Sequence, residues 1–73
     1  MLNSAQVKNE THEIGVILYA EVRASFIKQG TTFSAWCEKN HVWPASGRAA
    51  LLGYWSGKKA NALIKKIRTA ANV

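Results

Sequence analysis

The chain has little of what several kinds of function require. It carries one cysteine, Cys37, one proline, Pro44, and four acidic side chains, Glu10, Glu13, Glu21 and Glu38. A lone thiol excludes an internal disulfide framework and suits a reducing compartment. No apolar run approaches the roughly 18 residues that a membrane crossing needs, and the beginning lacks a basic region leading into an apolar stretch. These absences predict a cytoplasmic protein with no membrane partner. Two histidines, His12 and His41, four glutamates and one thiol are poor material for catalysis, so an enzyme is not expected. No cofactor or metal is expected either. Cys37 and His41 lie four apart, as two helix-borne ligands would, but zinc needs three or four ligands and only His12 remains outside the acids. A Cys37–His41 nucleophile pair lacks a third partner, which leaves Cys37 as a small buried apolar residue.

What is present reads as one small globular domain. The chain has 73 residues, of which 48% are apolar and 19% charged, with three tryptophans, two tyrosines and two phenylalanines. A chain this short buries only about 60% of the surface its unfolded form exposes, so one core must serve. The net charge of +6 is distributed unevenly. In residues 1–37, Lys8, Arg23 and Lys28 are cancelled by Glu10, Glu13 and Glu21. In residues 38–73, Lys39, Arg48, Lys58, Lys59, Lys65, Lys66 and Arg68 face Glu38 alone. A basic half-chain points to an anionic partner, nucleic acid first.

Periodicity predicts four helices and no strand. Residues 1–12 are polar and aperiodic and read as a loosely ordered tail, leaving 13–73 as the folded domain. From Ile14 to Gln29 one stripe, Ile14, Ile17, Leu18, Val22, Ser25 and Phe26, is expected to face the core, and Gly30 offers the stop. A second stripe, Val16, Ala20 and Ile27 beside Tyr19, makes this helix apolar on more than one side. Thr31 and Thr32 stand where an N-cap is wanted. A second helix, Phe33 to about Asn40, places Phe33, Trp36 and Cys37 inward. Asn40 and His41 tolerate a left-handed turn, and Pro44 suits the first position of a third helix. That helix runs to about Leu52, and its expected inward stripe is Gly47, Ala50, Leu51, Tyr54 and Trp55. Gly47 is expected to admit the backbone of the second helix. The last helix begins near Lys58 with Ala60, Leu63, Ile64, Ile67, Ala70 and Ala71 inward, and Lys58, Asn61, Lys65, Arg68 and Asn72 outward.

Two short helices joined by a tight turn, the second opening with proline, outline a helix-turn-helix, whose second helix lies in the DNA major groove. A structural helical hairpin shares that outline. The stretch from about Glu21 to Ile67 resembles the small helix-turn-helix proteins of Mu-like phages and prophages, in the Cro/repressor-like group. The resemblance rests on F-x-x-x-G-T-T-F-S-x-W-C, the turn into W-P, A-L-L-G, and G-K-K-A-x-x-L-I-K-K-I. Four positions depart from the group's pattern. Cys37 takes an alanine slot, His41 the turn glycine's, Trp43 the slot of a serine or threonine N-cap, and Gly47 that of a branched aliphatic. The resemblance implies a compact four-helix, all-α fold of the repressor-like type and sequence-directed binding of duplex DNA in phage gene control. Carried over by position, it implies that Ala45, Ser46, Arg48 and Ala49 face the bases. Arg48 alone among these makes a bidentate contact to guanine, Ser46 bonds a base or phosphate, and the alanines suit a thymine methyl.

Lys58 and Lys59 carry a separate argument. Cations at a helix N-terminus oppose its macrodipole, so stability does not account for them, whereas a bound phosphate would. Exposed lysines without a role are the plain alternative. Lys65, Lys66 and Arg68, near the opposite end, are explained by that same dipole. Stacking of single strands on the tryptophans is disfavoured by the inward spacing of Trp36 and Trp55. A membrane-surface role for the last helix is weak, because the small core needs its apolar face. The competing reading is a protein-interaction module docking through the doubly apolar first helix. A homodimer through Val16, Ala20 and Ile27 is compatible with either.

Overall fold

The computed structural model describes the backbone of residues 4–73 and the side chains of residues 13–73. Four helices follow one another: α1 (Ser4–Lys28), α2 (Phe33–Lys39), α3 (Pro44–Leu52) and α4 (Lys58–Ala71), with no strand among the described residues. Helix α1 begins well before Ile14, where the apolar period starts. No glycine or proline interrupts the sequence between Ser4 and Ile14, so propensity continues the helix where patterning gives no signal. The loose tail expected over 1–12 concerns residues whose side chains lie outside the described ones.

One device ends all four helices. A residue with positive φ follows each, namely Gly30 (84°), His41 (58°), Gly53 (88°) and Asn72 (60°). The next amide then reaches back five residues: Thr31 to the Phe26 carbonyl (3.0 Å), Val42 to Cys37 (2.8 Å), Tyr54 to Ala49 (2.9 Å) and Val73 to Arg68 (3.2 Å). This is the Schellman closure, which satisfies carbonyls that a helix end would leave orphaned. Helix starts are more varied. The Thr32 hydroxyl accepts from the Ala35 amide at 3.0 Å. Pro44 fills the first position of α3 after an uncapped Trp43, and Gly57 precedes α4 without a side-chain cap.

The core is built from Val22 and Phe26 of α1, Phe33 and Cys37 of α2, Leu51 of α3, and Ile67 and Ala71 of α4. Phe26 stacks on Trp36 (centroids 5.5 Å apart), and Tyr19 meets Phe33 edge-on at 5.6 Å. The Ser25 hydroxyl donates to the Ala71 carbonyl and the Gln29 amide to that of Ala70 (3.1 Å), fastening the end of α1 to the end of α4.

Three expectations about the core are corrected. First, Ile14 and Ile17 are exposed, 68% and 57%, rather than inward. The buried residue at that level is Gly15, where an added Cβ would lie 2.6 Å from the Leu52 carbonyl oxygen. The close approach of α3's end turns the inward face one residue round the helix. Second, Tyr54 and Trp55 are exposed, because the left-handed Gly53 stops α3 and with it the helical spacing that would have carried them inward. Third, Gly47 makes room for the Phe33 ring, 2.9 Å from a virtual Cβ, rather than for the backbone of α2. The inward faces expected of α2 and α4 are observed: Phe33, Cys37, Ala60, Ile67 and Ala71 are buried, and Trp36, Leu63, Ile64 and Ala70 are partly so. No described helix is long and apolar enough to cross a membrane.

Candidate nucleic-acid interface

The turn between α2 and α3 sets the geometry of this face. Asn40 ends α2 with its side-chain amide on the Trp36 carbonyl (2.8 Å), His41 reverses the chain, and Pro44 restarts it. On α3, Ala45 and Arg48 are exposed, while Ser46 and Ala49 are half-buried. At about 100° per residue, Ser46 and Arg48 lie on nearly opposite edges of the helix, so they do not converge on one ligand group. Ala45 and Ala49 occupy the strip between them, which leaves the outer face of α3 low in bulk.

Arg48 turns instead toward α1. It lines an open cleft with Tyr19, Arg23 and Ile27 of α1 and with Thr32, Phe33 and Ser34 at the start of α2. The Arg23 guanidinium lies over the Tyr19 ring, 5.5 Å from its centroid. Ser34 also lines a second, more apolar groove with Glu38, His41, Val42, Trp43 and Pro44, so the two concavities adjoin at this residue. Trp43, whose place in the turn left core cap and DNA-backbone contact both open in the sequence, is 80% exposed there and so outside the core. Arg23 and Ser34 were not among the candidate contacts. The Tyr19–Arg23 spacing of four, characteristic of neighbours on a helix surface, was the one available signal for Arg23.

Lys58 and Lys59 are exposed in the first turn of α4, which has no acidic residue and no capping side chain. The amides at such a start lack intrahelical acceptors and carry the positive end of the dipole. Among the described residues, Arg23, Arg48, Lys58 and Lys59 make no ion pair. Lys65 and Lys66 border a separate groove between α4 and α2, beside Trp36 and Asn40. Cys37 is fully buried, and burial raises its thiol above the ordinary range. Among the described residues no three histidine, cysteine or acidic side chains gather as metal ligands would. No family model, curated protein or solved structure matches the chain.

Proposed function

We propose that the chain is a non-catalytic, duplex DNA-binding protein of the repressor-like helix-turn-helix type, acting in the cytoplasm as a phage-derived transcriptional regulator. The observation that carries the reading is the α2–turn–α3 unit: two short helices, a left-handed His41, Pro44 at the first position of α3, and an outer face of small residues edged by Arg48. Small residues let a helix enter the major groove, and the exposed cations flanking it suit phosphates. Lys58 and Lys59, with the free amides of α4, form a second phosphate contact. Ala45, Ala49 and Ser46 offer few base contacts, so phosphate attraction supplies most of the affinity. Binding to a random duplex pool across a salt series, with sequencing of the retained fraction, tests this. A steep salt slope with an enriched motif is expected; no binding at low salt overturns it.

A second reading has its own observation. Along α1, Ile17, Ala20, Ala24 and Ile27 are spaced four, three, four and three residues from Glu13 and all are exposed, Ile27 by 63%. That strip lies directly opposite the buried Val22 and Phe26, in the spacing of a coiled-coil seam. It favours self-association or docking of another helix, and a two-fold dimer would present two α3 helices to a palindromic site. Sedimentation of Ile27→Lys beside the unaltered chain is decisive. Concentration-dependent mass in the latter alone supports the dimer, and equal mass at all concentrations removes it.

A further inference from the structure

We infer that the cleft between α1 and the start of α2 seats a phosphate group, gripped from two sides by the guanidiniums of Arg23 and Arg48. The inference rests on the duplex-DNA reading for the source of that phosphate, a backbone phosphodiester on the α1 side of the site. It takes Arg48 for phosphate rather than for guanine and adds Arg23, which the charge count of the first half-chain hides. Glu21 cancels Arg23 only in the count. Two residues along a helix is about 200° of rotation, so the carboxylate stands on the other side of α1. Among the described residues no acidic side chain lines the cleft. Two cations from separate helices that share one concavity repel each other, and a cleft lined by charge of one sign concentrates anions.

The cleft is also organised. Arg23 rests on Tyr19, whose ring is braced edge-on against the buried Phe33 (5.6 Å, 83°). This contact restrains the guanidinium near the ring, and its N–H groups remain donors for an oxyanion. The Thr32 oxygen already accepts from the Ala35 amide, so its hydroxyl proton remains to be donated. Ser34 supplies a second hydroxyl on the same wall. Planar forks plus hydroxyl donors are the chemistry of phosphate recognition.

The test compares Arg23→Gln, Arg48→Gln and the double variant on the random duplex pool across the salt series. Both positions are exposed, and matching far-UV circular dichroism verifies the fold of each. Each single change is expected to lower affinity roughly threefold to tenfold on every sequence, leaving any enriched motif unchanged. Because both arginines neutralise one phosphate, the double variant loses about one unit of salt slope, not two. An unchanged affinity for Arg23→Gln, a slope loss of about two, or a changed motif for Arg48→Gln overturns the shared seat while the DNA reading stands. If the unaltered chain binds no duplex, the DNA reading fails, and titration with inorganic phosphate decides the seat by itself. Saturable amide shifts at residues 32–35 that vanish in the double variant uphold it, and their absence in the unaltered chain overturns it.

Discussion

Replacing Gly15 by alanine sets two known effects against each other, and the structure decides the sign. Alanine is favoured over glycine inside a helix by about 1 kcal/mol, so on propensity alone Gly15→Ala stabilises α1. The added methyl, however, would stand 2.6 Å from the Leu52 oxygen, 2.8 Å from its carbonyl carbon and 2.9 Å from its Cα. All three atoms are backbone, and Leu52 is the last residue of α3, held by the Gly53 closure, so no rotamer change relieves the contact. The helices must move apart by most of an ångström, loosening Leu51 and Val22 in the core. Overpacking of this kind costs about 1–3 kcal/mol and more where nothing yields. The net expectation is destabilisation by about 1–2 kcal/mol, or a fall in Tm of roughly 5–15 °C for a domain of this size. Gly47→Ala is the internal comparison, since its obstacle is the far end of the Phe33 ring, which can turn. It should cost less than Gly15→Ala. Thermal melts followed by far-UV circular dichroism measure both, and a Gly15→Ala protein as stable as its parent would refute the close crossing of α1 and α3.

Further outcomes follow from single residues. His41→Gly should raise stability by up to about 1 kcal/mol, read as a higher denaturation midpoint, because a left-handed φ of 58° strains any residue with a Cβ. Lys58→Gln should slightly stabilise the domain by removing a cation from a helix N-terminus, yet reduce the salt slope of DNA binding by about one, so melts and titrations move in opposite senses. Cys37 should resist alkylation by iodoacetamide in native buffer and react only as the chain unfolds; labelling at the rate of a free thiol would contradict its burial. Its thiol is raised in the fold, so its contribution to stability is full below the ordinary thiol value near 9.0 and is lost as pH rises beyond it.

Much of the fold was legible because its signals are local. Thr32 caps, His41 turns and Pro44 starts as their backbone preferences dictate, and the stripe of α4 needs no knowledge of its neighbours. What sequence could not show was tertiary in origin. Ile14 and Gly15 differ by one residue on the wheel, and only the arrival of Leu52 selects the glycine as the inward position. The stripe through Tyr54 and Trp55 followed the right period for α3 but ran past Gly53, whose positive φ closes the helix. At the candidate site the outward cations of α3 and α4 were readable as exposed charges. The partnership of Arg48 with Arg23 was not, because it depends on which flank of α3 faces α1.

The two unusual faces of α1 bear on one question, how a domain with so small a reading vocabulary would choose a site. One flank carries Arg23, with Ile27 one turn on, into the cleft beside α3, while the side opposite the core exposes Ile17. A monomer that mostly holds phosphates discriminates weakly between sequences, because those contacts fix register without reading bases. Two copies joined through α1 would impose a fixed distance between recognition helices, and half-site spacing would then supply selectivity that Ala45, Ser46 and Ala49 cannot. The dimer seam and the phosphate seat therefore make linked predictions. Disrupting the seam should abolish any preference for paired half-sites while leaving the salt slope per protomer intact, and disrupting the seat should do the reverse. A substitution at Ile17, which lies outside the cleft, that removed both effects together would show that the helix does not divide these roles between its faces.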